Sequence, residues 1–406
     1  MPRRNIKVAV VIDEYFGAAG TAIGGFGHLA RHIICKYLPS EAFHFDVLLR
    51  RKKRLWSFLP TRHIIDGNAV IRPPSLPWLW AWLWLRNYDA YITIEFTHDV
   101  THHDLRPWKR IVHYIRDPRP WYAWRRIRAM RWCEEPCYFN PRLNNMVTSA
   151  ERRGQVRFIS QAESLDAYAR DLYSLFDDVS IECVPNPILL DESFELDRYP
   201  KENLVVFLGR LESQKRAWLF CEVARAMPQY QFVVIGKFHR HVAMNKAALE
   251  PYMDGRVPNL RFVGHLEGDA KYEYLKRAKI LLNTSIWEGI PQSFLEALSV
   301  GTLLVSNLNP DNLTARFGAY IGEAPGDGFD KVGAFAAAID GLLSDEERRR
   351  ALAHAGREHV RTRHSVDAFR TSMHQLLQQE AAKGAEKKRK ILSAAFARLR
   401  AAPSTR

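Results

Sequence analysis

Two glutamates, Glu288 and Glu296, stand with seven residues between them in the stretch Ser285-Ile286-Trp287-Glu288-Gly289-Ile290-Pro291-Gln292-Ser293-Phe294-Leu295-Glu296. Pro291 has no backbone N–H to donate, and an apolar helix is expected to start at Ser293 or its neighbours. Glu288 then lies in the loop ahead of the helix and Glu296 near its second turn. A helix start beside a glycine offers free N–H groups to a phosphate. Two carboxylates beside it can accept hydrogen bonds from the hydroxyls of a sugar ring. A plainer reading competes, because Ser293 and Glu296 have the spacing of a capping box. A second pair, Arg210 and Lys215, follows Gly209. Arg210 offers a planar fork and Lys215 a mobile point charge, and both suit phosphate oxygens. Asp117 follows Arg116 at the end of an apolar run, where α/β sites form. Its plainer role is a turn-forming Asp ahead of Pro118.

These residues need strands and helices to hold them. In the first half, Lys7–Ile12, Phe45–Leu49, Tyr88–Phe96, Arg110–Ile115 and Val156–Ser160 read as strands. A glycine-rich stretch from Gly17 to Gly27 precedes a helix over Leu29–Leu38. In the second half, strands are expected at Asn203–Leu208, Gln231–Ile235, Leu260–Val263, Ile280–Asn283 and Leu303–Ser306. Helices fall at Trp218–Ala226, Lys271–Ala278 and Ser293–Val300. Strand–helix alternation predicts parallel sheets covered on both faces. Strands that end at Gly209, Gly236 and Gly264 are how such sheets open a crevice. The fold class is therefore α/β, with two Rossmann-like doubly wound domains. The expected division is 1–188 for acceptor binding, a linker over 189–202, 203–375 for donor binding, and a basic tail over 376–406.

The setting Glu-Gly-Ile-Pro-x-Ser-x-Leu-Glu-Ala-Leu at 288–298, followed by Gly301-Thr302, resembles the signature of the family 4 retaining glycosyltransferases. Phe207-Leu208-Gly209-Arg210-Leu211 with Lys215 is similar to that family's donor-phosphate motif. Gly24-Gly25 resembles its glycine loop and Val184-Pro185-Asn186 its end-of-domain motif. The resemblance is strongest over 204–306. It implies the GT-B architecture, two Rossmann-like domains facing across a cleft, and a nucleotide-sugar donor. By the family pattern Glu296 bonds the ribose hydroxyls and Glu288 a hydroxyl of the transferred sugar. The N–H groups of Gly289 and Ile290, with Gly24, Gly25, Arg210 and Lys215, complete the donor site. Asp117 orients the acceptor, and Arg116 stands where the family often has His. The resemblance implies no covalent nucleophile. No cofactor or metal is expected: no Asp-x-Asp stands where the diphosphate would lie, and Arg210 and Lys215 can neutralise it.

The net charge of +14 points to an anionic partner. Arg116, Arg119, Trp121 and Trp124 head a Trp/Arg mixture expected to meet the acceptor or anionic lipid. Trp78–Leu85 is apolar almost all round, which suits a buried helix or interfacial insertion. The tail carries Lys383, Lys387, Lys388, Arg389, Lys390, Arg398 and Arg400 with apolar residues at helical spacing. It suits an amphipathic helix on a membrane or one packed on the protein. Five scattered cysteines argue against a disulfide framework, and no signal-peptide pattern or spanning segment is read. The expected location is cytoplasmic, peripheral on the inner membrane face, with a lipid-linked or saccharide acceptor. A GT-B epimerase is the alternative enzyme. A nucleic-acid-binding protein would leave Glu288, Glu296 and the strand–glycine pattern unexplained, so no nucleic acid partner is expected.

Overall fold

A computed structural model describes residues 5–51, 59–95, 98–238 and 243–401, with side chains to residue 397. Phe96, expected in a strand, and the side chains of Arg398 and Arg400 lie outside the described residues. Two parallel sheets form the frame. The first has the order β3-β4-β2-β1-β5-β6-β7-β8, the second β11-β10-β9-β12-β13-β14. In the first, β1 (Ile6–Val11), β2 (Phe43–Leu48), β3 (Thr61–Ile65), β4 (Asn68–Arg72), β5 (Ala90–Ile94), β6 (Ile111–Ile115), β7 (Val156–Ser160) and β8 (Ile181–Cys183) are all parallel to their neighbours except β3. β3 is an antiparallel edge strand, turned at Asp66-Gly67 with φ of 50° and 80°. Such a turn needs positive φ at both positions, which Asp-Gly supplies. The second sheet holds β9 (Glu202–Leu208), β10 (Gln231–Ile235), β11 (Leu260–Gly264), β12 (Ala278–Asn283), β13 (Leu303–Ser306) and β14 (Gly318–Tyr320). Its inner strands β9, β10, β12 and β13 are largely apolar runs because helices bury both faces.

Each sheet reverses its winding once, between β1 and β5 and between β9 and β12. A crevice opens beyond the carboxyl ends of strands at such points. The chain crosses between the bodies after β8 and again near residue 364, and the crossings touch. His364 Nδ1 lies 2.7 Å from the Asn186 carbonyl, and Ile188 N–H donates to the His364 carbonyl at 2.9 Å. Burial pushes the His364 imidazole down to about 4, so it sits there neutral.

The last helix, Val366–Ala401, corrects the expected boundary at 375/376. It starts inside the stretch assigned to the second domain, and Phe369, Met373, Leu376 and Leu377 are buried in the first body's core with Val8, Val10 and Val112. Glu380, fully buried, forms an ion pair with Arg110 ahead of β6. The proximal tail is therefore packed on the protein. Gly384 rests against the Trp108 carbonyl, where a Cβ would lie 3.0 Å from the oxygen.

Candidate functional site

The two charged motifs of the second half meet at the mouth of its sheet. Lys215 ends a short turn after β9, and Glu288 lies in the loop after β12. Lys215 Nζ reaches Glu288 Oε2 at 2.5 Å. Glu288 Oε1 accepts from Ser285 Oγ at 2.5 Å and Asn283 Nδ2 at 3.1 Å, so the end of β12 aims the carboxylate. Arg210 pairs with Glu212 at 2.8 Å. Gly209 and Gly236 let two strand ends touch: a Cβ on Gly236 would lie 1.9 Å from the Gly209 carbonyl oxygen. Glu296 is on the helix Gln292–Ser299, whose cap, Pro291, makes no side-chain hydrogen bond. The capping box is not formed. Glu296 Oε1 instead takes a hydrogen bond from Lys271 Nζ at 2.9 Å.

The first half brings its own charges to the crevice. Glu14 lies under the glycine loop and accepts the Gly27 N–H at 2.9 Å. A Cβ on Gly24 would lie 2.4 Å from that carboxylate, whereas Gly25 faces open space. Burial raises the Glu14 carboxyl above its ordinary range, against the Gly27 hydrogen bond and the charge of Arg210. Burial also pushes His28 down to about 4, helped by the charges of His32, Lys271 and Arg116. Glu95, just past β5, accepts the N–H groups of Arg116 and Asp117 at 2.6 and 2.8 Å. Tyr173 Oη donates to its other oxygen at 2.9 Å. This buried carboxyl, raised by desolvation, pins the turn that carries Arg116 and Asp117. Asp117 pairs with Arg119. The Arg116 side chain is buried, and its Nε and Nη1 have no hydrogen-bond partner among the described residues.

The two halves close on each other at Gly289. A Cβ there would lie 2.0 Å from the Arg116 carbonyl oxygen and 2.5 Å from Gln161 Nε2. Only glycine allows that approach. Gln161 donates to the same carbonyl, and Asn186 Nδ2 donates to Gln161 Oε1 at 2.6 Å. Asn186, from the end-of-domain motif, thus braces the turn from behind. The Ile290 side chain is buried in core.

One expectation is corrected. Trp124 is only 2% exposed and packs with Ala123, Ile127 and Met130 against the second body's core, so it is no membrane contact. Arg119 stacks over its ring at 5.2 Å. Trp121 alone of the four stays half exposed, at 50%. The segment beyond is a strap between the bodies. Trp132 packs edge-on against Trp218 at 5.2 Å, Ser213 Oγ donates to the Trp132 carbonyl at 2.7 Å, and Gln214 N–H donates to Glu135 at 3.2 Å. Burial and the nearby Glu212 charge push the Glu135 carboxyl up to about 7. Sequence reasoning did not single out Glu14, Glu95, Glu135 or Lys271. Glu14 had a signal, since it follows the end of the strand expected over Lys7–Ile12, whereas Glu95 fell inside the strand expected over Tyr88–Phe96.

Residues 190–359 match the family model of glycosyl transferases group 1. No curated protein sequence matches the chain. Among solved structures, sucrose-phosphate synthase from Thermosynechococcus elongatus is similar at TM-score 0.68 and 15% identity, over 93% of this chain and 100% of that one. WaaG, a glycosyltransferase involved in lipopolysaccharide biosynthesis, is similar at TM-score 0.64 and 14% identity, over 91% and 99%. Anabaena HepE, solved in complex with UDP, is similar at TM-score 0.64 and 13% identity, over 92% and 100%. The chain has the GT-B fold.

Proposed function

We propose that this protein is a retaining glycosyltransferase, acting on a lipid-linked or polysaccharide acceptor at the cytosolic face of a membrane. The observation that carries the reading is the Lys215–Glu288 ion pair at the mouth of the second sheet, with Arg210 held by Glu212 just past the end of β9. The group 1 match over 190–359 and the UDP bound by the Anabaena neighbour support it.

The chemistry follows from charge. As the sugar leaves, negative charge builds on the bridging phosphate oxygen, and fixed cations aimed there lower the barrier. Arg210 and Lys215 take that role, with Lys215 exchanging Glu288 for the diphosphate. Glu288 is then free to accept a sugar hydroxyl, and Glu296 accepts the ribose hydroxyls. Asp117, on its pinned turn, orients the acceptor hydroxyl. Attack comes from the face of the leaving group, whose phosphate takes the proton. No metal is needed, since two cations already meet the diphosphate, and turnover should survive EDTA.

The test uses a panel of nucleotide sugars, UDP-sugars first, scored by hydrolysis and by thermal stabilisation. Arg210→Ala and Lys215→Ala should each lose about 10²–10³ in kcat/KM. Near-normal turnover in both folded variants would refute the assignment.

A further inference from the structure

We infer that the outward face of the helix Leu76–Arg86, with the adjoining loop 104–108 and the distal part of the last helix, is the surface that docks on an anionic lipid bilayer. The inference rests on the membrane-face part of the function proposed above, not on its donor chemistry.

The helix Leu76–Arg86 starts at Ser75, whose Oγ accepts the Trp78 N–H at 3.4 Å. Leu79 and Leu83 point into the core with Ala9, Val11 and Leu48. The opposite side carries Pro77, Trp80, Ala81, Trp84 and Leu85, all exposed and none of them polar. Trp84 is 78% exposed and Leu85 69%. A water-facing helix ordinarily presents charges there. Leu105, 84% exposed, extends the patch, since Arg106 beside it bonds Asn87 at the helix end. His103 in the preceding turn meets the Trp80 ring edge-on at 6.3 Å.

The last helix joins the same surface. Lys388 lies over the Trp108 ring at 5.7 Å, and Lys387 Nζ donates to the Arg153 carbonyl at 3.3 Å. Beyond them Leu392 and Phe396 are exposed.

Charge decides the occupant. Residues 1–188 hold 27 Lys and Arg against 19 Asp and Glu, and 376–406 hold 8 against 2. Residues 189–375 hold 24 of each. The positive excess of the sequence thus falls in the two segments that build the first body and the last helix, and of these charges Lys387 and Lys388 stand beside the exposed Trp and Leu face. Tryptophan and leucine in the interfacial plane with lysines reaching headgroups is how a protein lies on an anionic leaflet. No described helix is long and apolar enough to cross one.

The test is sedimentation of the full chain with phosphatidylcholine vesicles, with and without phosphatidylglycerol. The Trp84→Gln/Leu85→Gln double variant should lower partition onto phosphatidylglycerol vesicles on the order of tenfold or more. Lys387→Glu/Lys388→Glu should lower it too, and the loss should shrink as salt rises. Nucleotide-sugar hydrolysis without vesicles should be unchanged in both variants. Undiminished vesicle binding by both would overturn the inference. So would a dimer of the unmodified protein that Trp84→Gln/Leu85→Gln converts to monomer, since the face would then be a self-interface. Vesicle binding lost in the variants, with no hydrolysis even in the unmodified protein, would uphold docking and sink the transferase reading alone.

Discussion

Lys271 occupies only one oxygen of Glu296, Oε1, and does so on the crevice wall. The carboxylate therefore has a place to act that does not depend on capping its own helix. Glu296→Gln keeps the shape and removes the charge. A hydrogen bond to a charged group is worth about 1.5–3 kcal/mol. Binding of UDP, measured by calorimetry on the folded variant, should weaken on the order of tenfold or more. An unchanged Kd would leave Glu296 as a partner of Lys271 only. At this scale the residues legible in advance were those whose partners lie nearby in one motif or match a known spacing. Arg210, Lys215 and Glu288 are of that kind. Glu95 is not: its meaning comes from two N–H groups at 116 and 117 and a hydroxyl at 173. Nothing in its local spelling separates it from any acid that ends a strand.

The strap from Trp121 to Phe139 shows why composition misleads about elements. Interleaved Trp and Arg read alike whether they face lipid or stack on each other, and here Arg119 lies on Trp124 while Trp132 meets Trp218. Strands buried on both faces were legible because an apolar run has one reading, as at β7 and β10. The antiparallel edge pair β3–β4 was not, because its outer strand is exposed along most of its length. The strap also carries a titration. The Glu135 carboxyl, ordinarily near 4.5, is raised to about 7. Between those values the folded chain holds a proton that the unfolded chain has lost, so stability falls as pH rises through the window. Glu135→Gln keeps an acceptor for Gln214 and removes the titration. Its melting temperature should match the unmodified protein's below pH 4.5 and exceed it by a widening margin up to about pH 7. A gap constant with pH would show that Glu135 does not hold that proton.

At the scale of the molecule, the two sheets are tied at the paired crossings near 186 and 364, at the strap, and at Gly289. The last helix is tied to the first body by Arg110 and Glu380. Removing one member of a buried ion pair leaves the other uncompensated, at about 3–5 kcal/mol. Glu380→Ala should lose that much in a denaturant melt, and a loss near zero would mean that the pair only decorates the packing. The return of the chain to its first body also bears on how the protein is made. The ribosome completes β1 to β8 early, yet the core beside Val8, Val10 and Val112 is closed by Phe369, Met373, Leu376 and Leu377. The second sheet is contiguous from 202 to 320 and can settle while synthesis continues. The half made first is thus finished last, and a nascent chain carries an uncovered apolar groove through most of its synthesis. Stalling or cleavage before residue 369 would leave that groove open to chaperones and to other nascent chains.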